Sequence, residues 1–275
     1  MQRQLPRPLG EVWPSVSAPL RPGPSDLGFF QQTLADWQGE HPNAPAPRAL
    51  ILGATAELWS LPWPDPSQVT VFEPDSETAE QLWPGPRDQV QQRSWLTLGP
   101  ADGPFDLVLC DAGLHTLGYP QAQSELVRRL FEVMPNGGLA AFRLLSPPTQ
   151  HESTVRVVSE LWAGRITDIS QLLLRLSLSM QRSAATGVRM SAVWLKLRSL
   201  SKDLPTLAER LGWPLSHLQA ADIYRFSPAH HHFVTLVETL QVFAQGDRKL
   251  FDMVRMNTGD SPMAAQCPTI VFRRN

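Results

Sequence analysis

Residues 48–75, RALILGATAELWSLPWPDPSQVTVFEPD, decide the fold. Ala49–Leu52 is a short continuous apolar run, the pattern of a strand covered on both faces of a parallel sheet. Gly53 lets the backbone turn sharply and leaves it uncovered where a ligand can approach. Thr55 is placed to cap a helix over Ala56–Leu61, whose free N–H groups face the turn. A second strand, Val69–Phe72, follows, and Glu73 stands at its carboxyl end, about 20 residues past the glycine. A carboxylate at that distance is the usual acceptor for ribose hydroxyls in nucleotide-binding units. The turn has one glycine where the dinucleotide fingerprint has three, so an ordinary βαβ unit competes as a reading of this stretch alone.

Working outward, 275 residues with 42% apolar content suffice for one large domain, or for a domain plus a sizeable insert. A net charge of −2 excludes a general polyanion binder. Cys110 and Cys267 make no disulfide framework and stand at no metal-ligand spacing, so no metal site is expected. No apolar run approaches the roughly 18 residues of a membrane helix, and MQRQLPRPLGEVWP lacks the apolar core of a secretion signal. The expectation is a cytoplasmic protein without a membrane partner.

Upstream, Met1–Pro24 reads as a proline-rich arm packed on the surface. Ser25 is a candidate cap for a helix from Asp26 to about Gln38, with Leu27, Phe30, Leu34 and Trp37 on one face. Downstream come a helix capped by Ser76, a third strand near Gln89–Trp95 and a buried strand Phe105–Cys110 ending on Asp111. A helix opened by Pro120 carries the stripe Leu126, Val127, Leu130, Phe131, Met134. After Asn136-Gly137-Gly138, Leu139–Leu145 is the fifth strand. Alternating strands and helices imply a doubly wound, mostly parallel α/β sheet. From His151 to about Gln245 helices follow one another with no strand between them, and Ser170–Arg182 is apolar nearly all round, so it must be covered. Lys249–Met256 and Thr269–Arg273 read as an antiparallel hairpin at the sheet edge.

ALILGAT, VFEPD, FDLVLCDAGLHTL and LVRRLFEVMPNGGLAAFRLL, with the late hairpin, resemble the class I methyltransferases that use S-adenosylmethionine. The resemblance covers 48–145 and 249–273. It implies a seven-stranded doubly wound sheet with an all-helical cap: residues 1–150 the arm and cofactor-binding core, 151–245 the cap, 246–275 the closing hairpin. It also implies methyl transfer to oxygen, nitrogen or carbon of a small molecule held between core and cap. By position, Gly53, Ala54 and Thr55 would lie under the methionine part and ribose of the cofactor, and Glu73 would take the ribose hydroxyls. Ser94 and Trp95 fall where the family sets an acid-plus-apolar pair against the adenine, with Ser94 replacing the acid. Asp111 and Ala112–His115 would run along the methionine part and face the substrate.

His115 and Asp111 are the candidate catalytic residues, His115 as the base, an imidazole just past a strand end; orienting its loop by hydrogen bonding is the alternative role for His115. Arg143, a charge inside a central strand, must reach a substrate anion or pair with Asp111. His230, from the run His230–His232, and Tyr224 are candidate substrate contacts, although such histidines more often cap the following helix, here Phe233–Phe243. Two other functions compete. TLAERLGWPLSHLQAADIY has helix-turn-helix spacing, which would make the chain a ligand-sensing DNA-binding regulator with a degenerate methyltransferase domain. Its second helix offers few cationic or amide side chains, which weighs against a nucleic-acid partner. An NAD(P)-dependent oxidoreductase would need a fuller glycine turn for its pyrophosphate.

Overall fold

The computed structural model describes residues 9–260 and 263–275; residues 1–8, where the proline-rich arm begins, lie outside the described residues. A short helix α1 (Leu9–Val12) and a 3-10 turn (Trp13–Ser15) lead into α2 (Pro24–Glu40). The Asp26 carboxylate accepts the Gly23 N–H at 2.8 Å, so the helix starts at Pro24, two residues earlier than a Ser25 cap would place it. β1 (Ala49–Leu52) has all four residues buried and leads to α3 (Ala56–Trp59), a single turn that the Thr55 side chain does not cap. Next come β2 (Val69–Phe72) and α4 (Ser76–Leu82), capped by Asp75, whose carboxylate accepts the Thr78 N–H at 2.7 Å, and not by Ser76.

β3 is only Val90–Gln91, because Ser94 caps a 3-10 turn at Trp95–Thr97 and takes the chain out of the sheet. β4 (Leu107–Asp111), α5 (Gln121–Val133) and β5 (Leu139–Arg143) complete the parallel half. With β8 (Phe251–Asn257) and β9 (Thr269–Arg274), the seven-stranded sheet has the order β3-β2-β1-β4-β5-β9-β8, parallel as far as β5. β9 runs antiparallel to β5, and β8 pairs with it at the edge as the expected hairpin.

Alternate residues divide the sheet between two layers. Ile51, Val71, Leu109 and Ala141 pack under Phe30, Leu34 and Trp37 of α2. Leu50, Val108, Ala140 and Phe272 face α5 and α11 (Leu236–Ala244), whose Phe243 stacks on Phe272 at 3.8 Å. α11 therefore packs on the sheet. Its cap is Thr235, in a reciprocal box with Glu238, and not a histidine.

The insert forms its own core from α6 (Thr154–Trp162), α7 (Ile169–Met180), α8 (Met190–Arg198), α9 (Leu204–Leu211) and α10 (Leu215–Gln219). α7 is covered as its composition required: Leu172, Leu173, Leu174, Leu176 and Leu178 are all buried. The cap is not all helical. β6 (Val188–Arg189) pairs antiparallel with β7 (His230–His231), a ladder too short for a periodic signal. Gly187 permits it, since a Cβ there would stand 2.6 Å from the His231 carbonyl oxygen.

α9 and α10 do form a helix hairpin about Gly212, which takes φ +67°. However, α10 is five residues long, and Leu207, Ala208, Leu218 and Ala221 are buried in the cap. Asp222 accepts the Trp194 indole N–H at 2.8 Å, which holds the following turn inward. The hairpin is cap architecture, and nothing in it favours the DNA-binding alternative.

Candidate active site

The carboxyl ends of β1, β2 and β4 open into a cavity of about 450 Å³. Parallel strands leave their ligand crevice at that end, where the loops diverge. The cavity floor is Leu52, Gly53, Ala54, Thr55 and Glu73, with Trp95 beside them, Asp111 at the end of β4, and Ala112, Gly113 and His115 just past it. The roof is the N-terminal arm, through Leu9, Trp13, Val16 and Leu20, together with Ile169, Ser170 and Leu173 of α7. Leu145, Ile223, Tyr224 and His231 complete the wall.

Gly53 takes φ +97°, which explains the glycine. Glu73 is 7% exposed and braces the turn: one carboxylate oxygen accepts the Ala54 N–H at 3.0 Å and the other the Asp75 N–H at 2.9 Å. Burial pushes its carboxyl above the usual range, against the pull of those two N–H groups. Each oxygen keeps a second lone pair, and Glu73 lines the cavity. The Trp95 indole N–H donates to Phe72 O at 2.7 Å and fixes the ring across the strand ends. A Cβ on Gly113 would come within 2.6 Å of that ring, so Gly113 is there for close approach. Ser94 is exposed and away from the cavity wall, its hydroxyl accepting the Leu96 N–H.

Asp111 and Arg143 form an ion pair with side chains 5% and 0% exposed, the Arg143 Nε donating to Asp111 Oδ1. Arg143 Nη1 donates to the Pro19 carbonyl of the arm at 2.9 Å. Burial alone would lower the guanidinium, but Asp111 outweighs it and keeps Arg143 firmly protonated. Of the two fates open to Arg143, pairing with Asp111 is the one observed, and Arg143 is not in the cavity wall. Next to Asp111, Ala112 holds φ +48°, a strained conformation for alanine, with its N–H donating to the Arg143 carbonyl at 2.9 Å.

His115 is buried, stacked on Phe233 at 4.9 Å and edge-on to His231 at 4.6 Å. Its Nδ1 has no hydrogen-bond partner among the described residues. Burial, then the neighbouring His231, holds the imidazole well below its ordinary range. Burial also brings His231 down to about 4 and raises the Tyr224 phenol. The backbone fixes this cluster: His232 N–H donates to His115 O at 2.7 Å, and Gln181 exchanges hydrogen bonds with the backbone of Phe233. His230 is exposed, with Nδ1 near the Pro228 carbonyl, so its neighbour His231 is the histidine that meets the cavity.

Sequence reasoning missed His231, the arm residues and Ile169–Leu173 as wall. Alternation along β7 would have turned His231 inward, had the two-residue strand been visible.

Among the described residues no helix is long and apolar enough to cross a membrane, and no cluster of three or more His, Cys, Asp or Glu is placed to hold a metal.

No protein-family model matches the sequence, and no curated protein matches it. Solved structures do. A putative Zn-dependent alcohol dehydrogenase from Rhodobacter sphaeroides is similar at 13% identity, with 99% of this chain and 100% of that one covered and a TM-score of 0.52. The N-methyltransferase NodS from Bradyrhizobium japonicum, in complex with S-adenosyl-l-homocysteine, is similar at 10% identity, with 98% and 99% covered and a TM-score of 0.47. The CcbJ methyltransferase from Streptomyces caelestis is similar at 11% identity, with 92% and 97% covered and a TM-score of 0.48. At such identities likeness speaks to fold and not to chemistry. By strand order and strand direction, with the closing strand antiparallel between its neighbours, this chain has the class I methyltransferase fold.

Proposed function

We propose that the chain is an S-adenosylmethionine-dependent methyltransferase acting on a small molecule. The observation that carries the reading is the charge of the cavity wall. Among the described residues it holds the carboxylate of Glu73, with Asp111 already paired to Arg143, and no lysine or arginine. That wall suits a cationic sulfonium and opposes the pyrophosphate of a nicotinamide dinucleotide, which needs a glycine-rich helix N-terminus or cations. A roofed cavity of about 450 Å³ also suits small ligands better than a polymer.

In this reading Gly53, Ala54 and Thr55 leave the turn open to the cofactor. Glu73 receives ribose hydroxyls on its free lone pairs, and Trp95 offers a flat face to the adenine. Ala112 and the Asp111 backbone run beside the methionine part. The bound cofactor supplies both the methyl group and its leaving group. The chain's part is to align the acceptor and keep water out, work for which the arm and α7 are placed. His115 accepts a hydrogen bond from the acceptor's N–H or O–H. A strongly depressed imidazole is a weak base, so this bond orients the nucleophile more than it ionises it. Asp111, already held by Arg143, supports the loop and takes no proton.

Calorimetric titration of the purified chain with S-adenosylhomocysteine, and separately with NAD, tests this. The expected result is one site for the former and none for the latter. Binding of NAD alone would reverse the assignment.

A further inference from the structure

We propose that the acceptor end of this cavity selects a neutral, planar aromatic molecule bearing one hydroxyl group. The inference rests on the methyltransferase reading for its place in the reaction, but its evidence is separate. Every ionisable side chain at that end is neutral or already paired. Asp111 is held by Arg143, and burial keeps both His115 and His231 uncharged. Among the described residues no lysine or arginine reaches the wall, so a carboxylate or phosphate on the acceptor would enter without a counterion.

The polar groups that remain ask for one hydroxyl. His115 and Tyr224 both line this end of the cavity, and among the described residues no protein group bonds the His115 Nδ1. A ligand that can bond an imidazole and a phenol on the same wall is favoured over one that leaves them unmet. A hydroxyl both donates and accepts. It can therefore answer an imidazole nitrogen and a phenol together, whereas an arylamine nitrogen accepts poorly. Planarity follows from the rings. His115 lies at 11° to Phe233 and 73° to His231, and His231 at 89° to Tyr224. Such an array of faces and edges extends most favourably onto another aromatic ring. Leu145, Ile169 and Leu173 close the remaining wall with aliphatic surface.

The test uses 2-naphthol, 2-naphthoate and naphthalene, titrated by calorimetry into the full chain with and without saturating S-adenosylhomocysteine. The expected result is that 2-naphthol binds at least about tenfold more tightly than either comparator. His115→Phe, which keeps a flat ring, is expected to lose about tenfold in 2-naphthol affinity while retaining S-adenosylhomocysteine. Tyr224→Phe, which removes only a hydroxyl, is expected to lose several-fold. Equal or tighter binding of 2-naphthoate, no 2-naphthol binding, or indifference to both substitutions would overturn the proposal. If 2-naphthol binds selectively while S-adenosylhomocysteine does not, the acceptor class stands and the cofactor reading falls. The converse result removes the acceptor class alone.

Discussion

Replacing Asp111 by asparagine isolates the most consequential charge in the molecule. Arg143 is fully buried, donates to Asp111 through Nε, reaches the Pro19 carbonyl through Nη1 and leaves Nη2 without a partner among the described residues. A guanidinium does not shed its proton, so Asp111→Asn strands a positive charge in the core. Breaking a buried pair from one side costs about 3–5 kcal/mol, which lowers the melting temperature of a chain this size by roughly 6–20 °C. Arg143→Met strands a carboxylate instead, and a carboxylate can escape by protonation. Its carboxyl is already raised by burial in the native protein. The cost of Arg143→Met should therefore shrink as pH falls toward the carboxylate range, whereas that of Asp111→Asn should not. The double variant removes both charges and should recover most of the loss, as replacement of whole buried pairs often does. Urea denaturation of all four proteins closes the cycle and gives the coupling energy. A cost under about 1 kcal/mol for Asp111→Asn, the range of surface pairs, would refute the buried ion pair.

The histidine pair makes stability depend on pH in a stated direction. The folded chain holds His231 near 4 and His115 also below 6.5, so the unfolded chain binds more protons as pH falls through 6.5. Stability is expected to fall from pH 6.5 to about 4, with His231 contributing up to about 3 kcal/mol, and His231→Phe should flatten that slope in urea titrations. An unchanged slope would deny the burial of His231. Gly113→Ala should lose about 1–3 kcal/mol and displace Trp95, because the new methyl meets its ring at 2.6 Å; a melting point equal to wild type would contradict that packing. Arg21 ties the arm to Glu57 at 2.5 Å and lies over Trp13 at 5.1 Å. Arg21→Ala should speed S-adenosylhomocysteine release several-fold by stopped flow while costing less than about 1 kcal/mol of stability. Equal release rates would mean that the arm does not gate the cavity.

Much of this architecture was legible because buried parallel strands announce themselves as apolar runs. ALIL, VTVF and LVLC required nothing beyond their own composition, and Gly53 and Glu73 at their ends located the floor of the cavity. The all-apolar α7 likewise demanded a cover and has one. What escaped depends on long-range contacts that leave no local trace. Trp13 and Leu20 become roof only because Ser17 N–H meets Ser170 Oγ at 2.9 Å and Arg21 meets Glu57. The two-residue ladder β6–β7 exists because Gly187 admits it, and it decides which of three consecutive histidines turns inward. Ala112 at φ +48° has no sequence signature, since alanine is not among the residues that mark left-handed backbone. The capping residues were misplaced by one or two positions, at Gly23–Asp26 and Asp75, where neighbouring acceptors compete for the same N–H groups.

A crystal of the chain grown with S-adenosylhomocysteine tests the central claim most directly. The account predicts nucleoside density above Gly53, its ribose hydroxyls on the Glu73 carboxylate and its base against Trp95. Density for that ligand at any other place, or an unaltered cavity at saturating ligand, would contradict it.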